Sequence, residues 1–259
     1  MVVPAFLGAS VGNTDAAAPG VISMSGSPGS GLDGNIFICQ IVQDGLTGGI
    51  TTDWTKTPDK FVNLAGTPDS ATFIGTFDIG SLALQHLWIG RMIGENIGSD
   101  PAVDGYSSED VYCRMYYFGD VSAGTTLADV IENGTAGSTT NTSGISATIA
   151  DAGVTTLGPN RLALNLVGGS DDNLLDAFTG MSGGTWAEAV AEYASSSGSD
   201  AVLGLQTATM LNAGTIDGGT DTWADATDGW GVVGFALKPR EEVEPTALSL
   251  PRRGMSMAA

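Results

Sequence analysis

The sequence predicts an all-β protein, an antiparallel β-sandwich with an extended C-terminal tail. First, Gly, Thr and Ser are abundant, with 38 Gly in 259 residues, and the apolar runs between them are short. Second, Trp230, Val232, Val233, Phe235 and Leu237 fall within one strand length. The Asp228-Gly229 turn opens that stretch, and Pro239, which has no N–H for a ladder, closes it. Third, Leu162, Leu164 and Leu166 alternate with Arg161, Ala163 and Asn165, a period of two that buries one face.

Taken in order, Ala5 to Ala9 is a short first strand. Gly12 to Gly34 reads as loop, with a candidate strand at Val21–Met24. Asn35 to Gln43 is almost continuously apolar, which calls for burial on both faces. Asp44-Gly45 turns the chain, and Thr51 to Pro58 is a short segment around Trp54. Ala71–Phe77 and Leu82–Ile93 form the next pair, and Asn96–Tyr106 reads as a long loop. Val111–Gly119 is aromatic and β-branched, with one Arg114 that must face water or a partner. Leu127–Ile131 suits one helical turn. Asn133–Ile149 is Gly/Ser/Thr-rich, a loop with a weak strand at Gly144–Ala150.

After the alternating strand, Ser170-Asp171-Asp172-Asn173 is a polar turn. Trp186–Ala194 has helix-favouring Ala and Glu but is flanked by Gly and Ser runs, and is assigned as strand. Ala201–Met210 is a strand, and Thr215–Thr227 a Gly/Asp/Thr loop. In the closing strand, Gly231 and Gly234 mark close approach of another backbone. The total is about ten to twelve strands in one domain, residues 1–239. Residues 240–259 form the tail, where Pro245 and Pro251 prevent a long helix.

Charge narrows the function. Nine Lys plus Arg face 29 Asp plus Glu, a net charge of −20. Such a surface repels phosphates, so neither nucleic acid nor an anionic lipid surface is an expected partner. No stretch reaches the roughly 18 apolar residues of a membrane span. The first ten residues lack a basic n-region, so no signal peptide is expected there. Cys39 and Cys113 sit inside apolar runs. Free core cysteines are the first reading, and a disulfide between adjacent strands is the alternative.

Several segments occur together in one order: TDWTK (Thr52–Lys56), GPNRLALNLVG (Gly158–Gly168), GSDAVLGLQTATM (Gly198–Met210), AGTIDGG (Ala213–Gly219) and WGVVGFALKP (Trp230–Pro239). In this pattern, over Ala5 to Pro239, the chain resembles the jelly-roll-like β-sandwich domain of minor structural proteins of tailed bacteriophages. The resemblance implies a virion component: a capsid decoration, a head fibre or a tail-associated protein. It implies other virion proteins as partners, a homo-oligomer, and synthesis in the host cytoplasm. It carries over no catalytic residue. The long acidic loops and the segment after Pro239 depart from the pattern.

The residues themselves offer little chemistry. His86 is the sole histidine, would have to be the base of any triad, and lacks a Gly-x-Ser-x-Gly elbow. A structural histidine is the expectation, and no enzyme activity is expected. The acid pairs Glu109-Asp110, Asp171-Asp172 and Glu241-Glu242 suit solvated loops. No cofactor is expected. Ser170–Asn173 and Thr215–Thr222 offer oxygens to a structural calcium ion but lack EF-hand spacing. Asn133-Gly-Thr and Asn141-Thr-Ser match the glycosylation pattern, which recurs by chance. Of the five Trp, Trp223 stands in a polar loop, open to a host glycan or a partner protein. Arg240, Arg252 and Arg253 concentrate scarce positive charge in the tail, which makes them candidate docking residues. The function expected is thus a non-enzymatic structural component of the virion, docked by its terminal segments. The rival is a carbohydrate-binding receptor-recognition or adhesin module.

Overall fold

The computed structural model describes residues 2–10, 13–15, 22–23, 34–46, 51–53, 61–93, 102–104, 111–146, 148–170, 178–194, 201–222 and 229–241. The first half of the chain gives β1 (Ala5–Ala9), β2 (Asn13–Asp15), β3 (Ile22–Ser23), β4 (Ile36–Asp44), β5 (Thr51–Asp53), β6 (Phe61–Val62), β7 (Thr72–Ile79), β8 (Ala83–Met92), β9 (Ala102–Asp104) and β10 (Val111–Gly119). One helical turn follows, α1 (Leu127–Val130). The second half gives β11 (Ile131–Asn133), β12 (Thr135–Ala136), β13 (Thr140–Ile145), β14 (Thr148–Ala150), β15 (Val154–Thr156), β16 (Arg161–Gly169), β17 (Thr185–Ala194), β18 (Ala201–Met210), β19 (Gly214–Ile216), β20 (Thr220–Thr222) and β21 (Gly229–Leu237).

Two antiparallel seven-stranded sheets pack face to face. The first runs β1-β10-β4-β8-β6, with β2 also on β10 and β7 also on β8. The second runs β12-β11-β21-β16-β18-β17, with β13 also on β21. The likeness to a jelly roll is one of architecture, two facing antiparallel sheets. The connectivity is sequential, since the first sheet is finished at Gly119 before the second begins at Ile131. The last strand, β21, lies inside its sheet, paired with β16 along one side and with β11 and β13 along the other.

The main core is shared by both sheets. Ile38, Leu87, Tyr116 and Phe118 come from the first, and Leu164, Leu166, Leu205 and Phe235 from the second. Each such side chain, fully withdrawn from water, contributes roughly 1.5–3 kcal/mol. A second cluster covers the outer face of the first sheet, with Phe37, Cys39, Ile41, Trp88, Met115 and Tyr117. The outer face of the second sheet is roofed by two ribbons, β14/β20 and β15/β19. Ile149 of one ribbon packs with Val167 and Trp230 of the sheet, and Val154 and Ile216 of the other with Ala163. Burial on both faces is why β4, β8, β10 and β21 read as near-continuous apolar runs.

That roof corrects the reading of β16. Leu162, Leu164 and Leu166 do face the core, but Ala163, Asn165 and Val167 are buried too, under the ribbons. The period of two records a change from large to small residues, and both faces are dry. The strand count is also corrected, to 21 among the described residues. β14 falls in the weak strand read at Gly144–Ala150, while the extra strands fall in stretches read as loop or left unassigned, such as β9 within Asn96–Tyr106, β11–β13 within and beside Asn133–Ile149, β15, and β19 and β20 within and beside Thr215–Thr227. They are two to six residues long and rich in Thr, so backbone pairing defines them more than apolar content does. Of the two surroundings expected for Arg114, water or a partner, burial excludes the first: it lies inside on β10, opposite Gln40.

Polar side chains inside the sandwich fix how the sheets meet. Gln40 Nε2 donates to Val167 O at 2.7 Å and to Gln85 Oε1 at 3.0 Å, and Tyr116 Oη donates to Gln40 Oε1 at 2.8 Å. Another backbone does come close at Gly231, where a Cβ would stand 2.5 Å from Asp78 O of the facing sheet; at Gly234 the neighbours are side chains instead, with Ala152 Cβ of the roof 3.0 Å from where a Cβ would stand.

Candidate functional site

The site is built at one end of the sandwich, where β10, β16 and β21 meet. Leu237 at the end of β21 pairs with Leu162 and Ile131. The chain beyond it is then held against the segment that follows β10. Pro239 bridges Val121, Ser122 N–H donates to Lys238 O at 2.9 Å, and Arg240 N–H donates to Asp120 O at 2.7 Å. At the other side of β10, Ala5 pairs with Gly119. The segments on either side of the sandwich, Val2–Pro4 and Pro239–Glu241, therefore leave it at the same end.

Charge collects there. Glu132 is buried, and its Oε1 accepts from Leu157 N–H at 2.8 Å and Arg161 Nε at 2.9 Å. Lys238 Nζ stands 3.6 Å from Glu132 Oε2 and donates to Ala128 O at 2.6 Å. A buried carboxylate is tolerated only when paired and hydrogen-bonded in this way. Arg91, near the end of β8, donates from one terminal nitrogen to Ser122 O at 2.7 Å and Gly124 O at 2.9 Å. Burial lowers the Arg91 pKa, and the positive charge of Arg240 lowers it further. Asp129 of α1 accepts from the backbone and the hydroxyl of Thr126, at 3.0 and 2.7 Å, which lowers its pKa. Beside these groups lies an open cleft of about 590 Å³, lined by Ser122–Gly124, Asp129, Arg161, Lys238, Arg240 and Glu241.

The described residues thus bring Arg240 together with Arg91, Arg161 and Lys238, which sequence reasoning did not single out. Their signal was scarcity: with nine Lys and Arg in the chain, each one next to a strand end merits a test for clustering. Arg252, Arg253 and Trp223 lie outside the described residues, as do Trp54, Glu109, Asp110, Asp171, Asp172 and Glu242.

The other candidates are resolved by their surroundings. His86 is buried, its Nδ1 is 3.0 Å from Thr76 Oγ1, and its ring stacks on Trp88 at 6.0 Å. Burial lowers its pKa to about 4. Cys39 and Cys113 are buried and not joined in a disulfide. They face the same side of adjacent strands but are out of register, Cys39 opposite Met115 and Cys113 opposite Ile41. Such diagonal positions are about 7–8 Å apart, beyond disulfide reach. In the Thr215–Thr222 stretch, Asp217 Oδ1 accepts from Gly219 N–H at 2.8 Å, and Asp151 accepts from Gly218 and Gly153 N–H at 2.6 and 3.1 Å. Burial raises the Asp151 pKa. No group of three or more His, Cys, Asp or Glu among the described residues is placed to hold a metal ion. Asn133 uses its amide inside the fold, donating to Thr140, Gly153 and Gly234 and accepting from Thr155. Trp88 and Trp230 are core residues, and Trp230 Nε1 donates to Ser146 Oγ at 3.0 Å.

No protein-family model, no curated protein and no solved structure matches this chain.

Proposed function

We propose that the protein is a non-enzymatic structural component of a tailed phage particle, a capsid decoration, head fibre or tail-associated protein, that docks through its terminal segments. The observation that carries the docking is the convergence of both segments on one end of the sandwich, through Ala5 against Gly119 and Arg240 against Asp120. Two chain segments leaving a rigid sandwich side by side can grip one partner surface. The chain's net negative charge suppresses unwanted association. The particle assignment is supported by the ordered segments TDWTK, GPNRLALNLVG and WGVVGFALKP on an all-β sandwich.

The test is incorporation. A chain truncated after Pro239 should fold, accumulate and be missing from purified particles that carry the full-length protein. Normal incorporation of the truncated chain would refute docking through the C-terminal segment.

A further inference from the structure

We propose that the cleft beside Arg240 is a carboxylate-binding site that seats an extended acidic segment of the docking partner. The inference deepens the docking reading and rests on it for where the partner is met.

The first ground is where positive charge sits. Five of the chain's nine Lys and Arg lie among the described residues, namely Arg91, Arg114, Arg161, Lys238 and Arg240. Four of them surround this one end, in a chain of net charge −20. These cations meet Glu132, Asp129 and Glu241, so this end is close to neutral in a strongly acidic chain.

The second ground is the state of the acids at the cleft. Glu132 is buried beneath it and bound by Leu157 N–H and Arg161, with Lys238 close to its second oxygen. Asp129 is bound to Thr126. Glu241, which also lines the cleft, is exposed. None of these forms an ion pair with Arg240. Arg240 is exposed on the cleft wall, and a guanidinium fork receives a carboxylate through two parallel hydrogen bonds.

The third ground is shape. Arg91 clamps the carbonyls of Ser122 and Gly124 and so fixes one wall, while Lys238 and Pro239 are pinned by backbone bonds on the other. The cleft is open and about 590 Å³, room for a few extended residues. Backbone pairing holds both walls before anything binds, which lowers the entropic cost of docking.

The probe is a labelled octapeptide of alternating Glu and Gly, with a Gln/Gly peptide as control, titrated into the full chain by fluorescence anisotropy at low and moderate salt. The Glu peptide should bind despite the net charge, weaken with salt, and leave the Gln peptide unbound. Arg240→Gln alters an exposed side chain and should weaken binding about tenfold with an unchanged melting temperature. No binding of the Glu peptide at low salt, or binding indifferent to Arg240→Gln, would overturn the proposal. Arg161→Gln is a second variant, and its melting temperature reports whether the Glu132 pairing survives. A full chain that binds the peptide but is absent from particles would leave the site standing and remove the virion reading. Particle incorporation without peptide binding would do the reverse.

Discussion

Arg240 donates its backbone N–H to the carbonyl oxygen of Asp120 at 2.7 Å. Asp120 directly follows Gly119, which pairs with Ala5. This one bond therefore places the exit of the last strand beside the entry of the first. It also marks where the sandwich ends, because the strand pairing stops at Leu237 and only local bonds hold Lys238 to Arg240.

Truncation after Pro239 should accordingly spare the fold. Among the described residues it removes one backbone hydrogen bond, worth about 1 kcal/mol, which at this chain length shifts the melting temperature by roughly 2–4 °C. Differential scanning calorimetry should show a single cooperative transition, and its loss would mean that the tail belongs to the core.

Glu132 is the acid on which the cleft depends. Glu132→Ala strips the partner from Leu157 N–H and leaves Arg161 half-buried without its carboxylate. The expected cost is about 3–5 kcal/mol in urea denaturation. Lys238→Met, at a longer and more exposed contact, should cost about 1 kcal/mol or less.

Two glycines separate a steric requirement from a conformational one. A Cβ at Gly231 would stand 2.5 Å from Asp78 O, so Gly231→Ala should push the sheets apart and cost about 1–3 kcal/mol. At Gly119 the nearest atom to a Cβ is a Leu7 methyl at 3.4 Å, an ordinary contact. Gly119→Ala should be neutral or stabilising by up to about 1 kcal/mol. Equal losses at both sites would contradict the packing described.

His86 makes stability depend on pH in a defined window. Its folded-state pKa is lowered to about 4 from 6.5. Below pH 6.5 the unfolded chain takes up a proton that the folded chain refuses, so the stabilisation is complete above that value and is lost as pH falls toward 4. Between pH 7 and 5 the wild type should lose about 2 kcal/mol more than His86→Gln, read from urea midpoints. Parallel curves for the two proteins would show that His86 takes up its proton equally in both states.

The strands legible in the sequence are those that bury two faces. β4, β8, β10, β18 and β21 are nine or ten residues long and mostly apolar, so composition alone marks them. Of the ribbons β14/β20 and β15/β19, only β14 was legible, as the weak strand at Gly144–Ala150; the others were not, because they shield a sheet with one side chain in two and meet water with the rest. Thr148-Ile149-Ala150 buries only Ile149 fully. The cleft was legible at Arg240 alone. Arg91 and Arg161 reach it from the ends of other strands, and only the register of β16 against β21 and the bonds from Arg91 to Ser122 and Gly124 bring them together.

Immunogold labelling of intact particles released by the cells that make the protein tests the central claim most directly. The account predicts label on the capsid or on the tail, at a fixed position from particle to particle. Label on cell envelopes with none on particles would contradict it and favour an adhesin.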